Sequence, residues 1–349
     1  MTAPAADDAT RPEPGVTCPP AAGPPDRGGS PRHPAGRVLA RVGTASVLVA
    51  LALLVLVPVL RRYGLDDFTP FLVAGLLLGV PHGAVDHLVP AWLSTRARPL
   101  SVRLATLLGY AMVAGAALVA FHAVPAPALL AFLVLSVAHF GAADEAFHAE
   151  LAGRRIRYPV VGVLARGGPP VVVPLLLWPD TVDPLLASVA PGVPVLLTAE
   201  IRLLAAACLL AAVATTAVRG LRASRVTEAV EPILLVLVFA TVPPTLAVGT
   251  YFATWHSGRH IARLLHGDPA NRADLAAGRL GPPSRRFARR AALPTLAAVA
   301  VLTALVGWPG GPVDPLPATV AVLAALTVPH AALVAWMDRV APPAPGPDR

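Results

Sequence analysis

Stretches of about twenty apolar residues recur along this chain, and arginines gather in the short segments between them. A helix crossing the hydrocarbon core of a bilayer needs about 20 such residues, whereas soluble domains break their apolar runs with charge. Only 14% of the 349 residues are charged, against about a quarter in a soluble domain, and the mean hydropathy is +0.66. These values exclude a soluble enzyme, a coiled coil and a β-barrel porin. The fold class they leave is all-α: a polytopic transmembrane helix bundle.

Spans are expected at roughly 38–60, 68–93, 102–124, 127–147, 158–178, 200–218, 229–243, 244–266, 291–308 and 317–337, about eight to ten in all. Arg96, Arg98 and Arg103 form one cluster, Arg154, Arg155 and Arg157 a second, Arg219, Arg222 and Arg225 a third, and the run from Arg263 to Arg290 the largest. The connections near 124–127, 179–199 and 309–316 hold no arginine. That alternation places both termini in the cytoplasm by the positive-inside rule, with Arg61 and Arg62 as the misfit. Two stretches strain the scheme. The first, 158–178, is interrupted by Arg166-Gly-Gly-Pro-Pro, and the second, 229–266, is far too long for one span unless Pro243-Pro244 breaks it. Residues 1–36 and 341–349 are Pro-rich tails expected to be disordered, which leaves 37–340 as the transmembrane catalytic bundle.

The formal charge of +8 comes from loop arginines and speaks for membrane orientation, not for nucleic-acid binding. All 28 basic residues are arginine, so a retinylidene photoreceptor, which needs a lysine amine, is excluded. Cys18 and Cys208 form no metal or disulfide framework.

Ten histidines remain to be explained. Solvated or interfacial positions suffice for His33, His122, His148 and His266. His82, His87, His139, His256, His260 and His330 fall inside apolar spans, where an unpartnered polar group is costly. His82, His139, His256 and His330 each lie at a similar depth, a little to the cytoplasmic side of the midplane, and His260 follows His256 by one helical turn. Imidazoles from several helices at one level are what a metal site in a bundle core requires. Zn, Cu, Fe and Ni all suit imidazole, so ligand type does not choose among them. Asp86 and Asp144 stand four and five residues beyond His82 and His139 and are candidates to fix a ligand's ring by accepting its outer N–H.

The strings Gly79-Val-Pro-His82-Gly-Ala-Val-Asp86-His87, His139-Phe-Gly-Ala-Ala-Asp144, Trp255-His256-Ser-Gly-Arg259-His260 and Thr327-Val-Pro-His330 resemble the Brp/Blh family. These are the membrane-embedded β-carotene 15,15′-dioxygenases of bacteria and archaea, and the likeness runs in order from about residue 40 to 340. The resemblance implies oxygen-dependent cleavage of β-carotene at its central double bond to two molecules of all-trans-retinal. It also implies Fe(2+) held by His82, His139, His256 and His260, with β-carotene, dioxygen and the lipid bilayer as partners and the cell membrane as location. His330 and His87 then fall outside the ligand set, as lining or supporting residues. Phe140, Tyr251, Phe252 and Trp255 are candidates to line a polyene tunnel, and Arg259 is expected to snorkel to the cytoplasmic interface.

The alternative from another class is a histidine-lined metal or proton transporter. It would string its polar residues along a path, whereas these histidines share one level. A membrane di-iron hydroxylase would need HxxHH boxes and an intramembrane zinc protease an HExxH motif; neither occurs.

Overall fold

The computed structural model describes residues 34–64, 67–93, 100–307 and 315–340. The tail expected over 1–36 lies outside these residues up to position 33, and the tail expected over 341–349 lies wholly outside them. Every regular element among the described residues is helical. In chain order the main ones are α1 (Pro34–Arg62), α2 (Thr69–Gly79), α3 (Leu100–Ala123), α4 (Pro125–Leu151), α5 (Val160–Gly167) and α6 (Pro169–Leu177). They continue with α7 (Pro179–Val189), α8 (Ala199–Arg222), α9 (Val226–Thr241), α10 (Pro244–Thr250), α11 (Ser257–Gly267), α12 (Gly281–Gly307) and α13 (Pro315–Val340).

Six helices are long and apolar enough to cross a membrane, or seven when α5 and α6, bent by 56°, count as one broken span. This is fewer than the eight to ten read from apolar runs, and the shortfall has identifiable causes. Helix α9 has 16 residues, fewer than a bilayer core needs. The expected span over 244–266 is helical throughout, but His256, Arg259, His260 and Arg263 make it too polar. The two weak points of the sequence are real breaks. The prolines at 243 and 244 end α9 and start α10, with Pro243 extended at φ −51°, ψ 136°. The Gly-Gly-Pro-Pro run kinks the chain between α5 and α6.

Close helix contacts depend on missing side chains. A Cβ on Gly75 of α2 would overlap the Gly249 carbonyl of α10, and one on Gly141 of α4 would overlap the Val163 carbonyl of α5. Around these contacts a core forms from Val57, Phe68, Leu235, Phe239, Tyr251 and Trp255.

The bundle also buries a cluster of charges. Arg259, expected at the interface, is only 2% exposed. Its guanidinium donates to both carboxylate oxygens of Glu231 on α9 (2.8 and 3.0 Å), to Asp144 on α4 (2.7 Å) and to Ser46 on α1 (3.1 Å). It lies 3.8 Å above the Trp255 ring centroid and 4.8 Å from that of Phe147. Snorkelling fails here because partners of opposite charge from two other helices are already inside. His148, assigned to an interfacial place, is equally buried and holds Glu231 at 2.8 Å. Arg166, brought in by the α5–α6 kink, pairs with Glu145 at 2.9 Å and lies 3.6 Å from Asp144. A second buried pair links Arg263 to Glu150 (2.7 Å) and to Asp338 of α13 (2.5 Å). Outside the spans, Arg286 and Arg279 beside Asp274 hold its carboxyl below the usual carboxylate range.

Two stability measurements on detergent-solubilised protein test these contacts. Gly75→Val forces a side chain into the Gly249 backbone and should cost about 1–3 kcal/mol. Gly115→Ala, where nothing stands within 4 Å, should be neutral or slightly stabilising. Arg259→Met leaves Asp144 and Glu231 short of a counter-charge and should cost about 3–5 kcal/mol, read as a lowered unfolding temperature.

Candidate metal centre

Each histidine of the centre reaches it by a different local device. The helix carrying His82 stops at Gly79 and tightens into a 3₁₀ turn over Val80–His82, with Pro81 needing no amide partner there. A second 3₁₀ turn, Asp86–Leu88, follows before the backbone regains a helical turn at Val89–Trp92. Irregular backbone inside an apolar span is tolerated where it is enclosed by protein, and His82 and Asp86 are both buried. His139 sits mid-way along α4 and His330 directly after Pro329 in α13. His256 ends a six-residue π-helical stretch, Tyr251–His256, between α10 and α11, and His260 lies one turn further on. Single π turns inside α-helices are frequent at functional sites, since they re-aim side chains.

These devices bring five imidazoles together. Ring centroids lie 5.1 Å apart for His82 and His256, 5.7 Å for His82 and His260, and 5.0 Å for His139 and His256. His330 lies 4.7 Å from His82, 5.0 Å from His139 and 5.2 Å from His260. All five residues are at most 8% exposed. Nitrogens of His82, His256 and His330 fall within 4.8 Å of one another, as do those of His260 and His330 with a carboxylate oxygen of Asp86.

The hydrogen bonding of these rings is one-sided. His82 Nδ1 lies 2.6 Å from the Gly79 carbonyl, which fixes Nδ1 as the protonated nitrogen and leaves a lone pair on Nε2. The Ser257 hydroxyl is also 3.2 Å from this nitrogen. His330 Nδ1 donates to Asp86 at 2.7 Å. In contrast, the Nε2 atoms of His139, His256 and His330 and both ring nitrogens of His260 are buried without a hydrogen-bond partner. Each orphaned buried polar atom costs about 1–3 kcal/mol. Several of them converging from four chain segments is a donor set that an imidazole-binding cation satisfies. Imidazole nitrogens with no thiolate suit a first-row divalent metal, iron included.

The remaining candidate residues divide between this centre and the charge cluster beside it. The Phe140 ring packs 4.7 Å from His256, and the Phe252 ring lies 5.4 Å from His82 and 5.8 Å from His256. Tyr251 stands behind Phe140 at 5.5 Å. Trp255 faces away, donating its indole N–H to Asp144 at 3.3 Å beneath Arg259. Asp144 serves Arg259 and Trp255, not His139, and Asp86 serves His330, not the His82 four residues before it. His87 is half-buried and is not one of the five. The carboxylate Glu231 and the buried His148 and Arg166 were missed by sequence reasoning. A glutamate just before Pro232 in an apolar run was the available signal for the first.

Comparison with known proteins agrees with this geometry. The sequence profile of the family described as beta-carotene 15,15′-dioxygenase matches residues 73–338, which contain all five histidines. The chain is 33% identical over 332 residues to the probable β-carotene 15,15′-dioxygenase Blh of Halobacterium salinarum, covering 88% of this chain and 95% of the relative. It is 29% identical over 187 residues to a β-carotene 15,15′-dioxygenase from the uncultured marine bacterium 66A03, covering 54% of this chain and 66% of that one. The probable β-carotene 15,15′-dioxygenase Brp of Halobacterium salinarum is 27% identical over 215 residues, 55% of this chain and 57% of the relative. No solved structure matches. A profile spanning most of the bundle, and a relative aligned over nearly its whole length, place this multi-pass membrane protein in the β-carotene 15,15′-dioxygenase family.

Proposed function

We propose that this chain cleaves the central 15,15′ double bond of β-carotene with dioxygen, giving two molecules of all-trans-retinal, and that His82, His139, His256 and His260 hold the Fe(2+) that the reaction needs. The reaction balances without a further reductant: one carbon–carbon double bond breaks, and each carbon keeps one oxygen atom of O₂ as an aldehyde. The observation that carries the reading is the convergence of buried, unpartnered imidazole nitrogens inside the region matched by the family.

When bound, the iron supplies a site at which dioxygen is activated. The chain's own residues do the rest. His82 is oriented by the Gly79 carbonyl, so that its free nitrogen faces the other rings. Phe140 and Phe252 lay apolar faces against the imidazoles, the surface a conjugated hydrocarbon would meet. The dry surroundings keep water from competing with the hydrocarbon and from reacting with activated oxygen. Substrate of this kind has no useful solubility in water, so the bilayer is its source, and the cell membrane with the arginine-rich loops and N-terminus in the cytoplasm is the proposed setting. The transporter reading is disfavoured by the five rings forming one compact group and not a file.

Expression in β-carotene-producing cells should bleach the carotenoid and yield retinal. His82→Ala, His139→Ala, His256→Ala and His260→Ala should each lower retinal formation to background; wild-type turnover in any of them removes that residue from the ligand set. Purified protein stripped with a chelator should lose activity and regain it with Fe(II) but not with Zn(II). Full activity in metal-free protein would overturn the iron assignment.

A further inference from the structure

We propose that His330 is a fifth metal ligand and that Asp86 positions it. This rests on the reading above and adds a residue to its four-histidine set.

Three observations separate a ligand from a supporting residue at this position. First, His330 is central, not peripheral, since its ring touches those of His82, His139 and His260, and its ligand nitrogen lies within 4.8 Å of those of His82 and His256. Second, the 2.7 Å contact between Nδ1 and the Asp86 carboxylate puts the proton on Nδ1 and the lone pair on Nε2. A carboxylate holding the outer N–H of an imidazole is the usual support of a metal-bound histidine, raising its basicity and fixing its ring. Third, His330 Nε2 is buried and has no hydrogen-bond partner. A residue that acted by supporting another ligand would have that nitrogen on a ligand's outer N–H. The outer nitrogen of His82 is already taken by the Gly79 carbonyl.

The local sequence is shaped for this contact. A Cβ at position 83 would stand 3.3 Å from His330 Nδ1, tighter than nearly all real contacts, so the glycine after His82 leaves room for the His330–Asp86 pair. The pairing also answers a charge problem. Neutral imidazoles alone leave a divalent cation uncompensated in a dry site, and Asp86 brings one negative charge through the His330 ring. Five ligands leave a six-coordinate ion one open position.

The test uses the full-length protein in detergent, metal-free and then loaded anaerobically with Fe(II). Affinity is read by chelator competition and the number of bound imidazoles by X-ray absorption and pulsed EPR. In His330→Gln the imidazole number should fall by one relative to wild type, with iron affinity at least about tenfold weaker. Asp86→Asn, which keeps the side chain's size, should keep the wild-type imidazole number and weaken affinity about 10–100-fold. His87→Gln, outside the cluster, should change neither quantity, and the metal-free variants should unfold at temperatures close to wild type. A wild-type imidazole number and affinity in His330→Gln would overturn the fifth ligand while leaving the four-histidine reading intact. Should His330→Gln fail to fold, an unchanged affinity in Asp86→Asn would overturn the positioning. Wild-type protein that takes up no iron would sink both this inference and the function it rests on.

Discussion

An ionised side chain taken out of water must meet its counter-charge inside, and the helix that carries two of the histidines is placed by that requirement. Arg259 finds Glu231 and Asp144 on two other helices, and Arg263, one turn further, finds Glu150 and Asp338. The uncompensated cost of either guanidinium would be several kcal/mol, comparable to the whole stability of many domains. Residues 256, 260 and residues 259, 263 are two i, i+4 pairs, so this segment carries an imidazole stripe and a guanidinium stripe side by side. Once the arginines are seated among carboxylates, the direction of the imidazoles is fixed. Charge neutralisation thus orients the site without any charged group of that helix touching the proposed metal.

The apolar runs, the helix break at Pro243-Pro244, the interruption after Arg166 and the gathering of histidines at one level were all legible in the sequence, because each is a local pattern of composition or spacing. What could not be read were partnerships between distant positions. Asp86 lies four residues from His82 and 244 from His330, yet it bonds the latter. His148 and Glu231 are 83 positions apart and meet at 2.8 Å. Sequence proximity favours a wrong partner in such cases, since helical spacing brings residues to one face but does not say which helix packs against that face. Arg259 was misplaced for the same reason: its spacing from the span end suited snorkelling, and only the arrival of α4 and α9 shows why it stays inside. The number of spans was overcounted where apolar composition continued through segments too short or too polar to cross.

The segment around His82 shows how the fold reconciles backbone irregularity with an apolar setting. Gly79 accepts the ring proton of His82 at its carbonyl and presents no side chain to Phe252. Gly83 leaves space under His330. Pro81 removes one amide that would otherwise need a partner. The string that made the family resemblance specific is therefore built of steric and hydrogen-bonding necessities around one ring, with the histidine as its purpose.

The π-helical stretch Tyr251–His256 has a consequence for how the chain tolerates length changes. A π turn holds one more residue than the α turn it replaces. Excising a single residue there would restore a plain α-helix and turn everything after it by about 100° around the axis. The imidazole stripe would then swing away from the other rings and the guanidinium stripe away from its carboxylates. In a fold whose loops absorb insertions freely, this one turn is a place where reading-frame-preserving indels are forbidden by rotation alone.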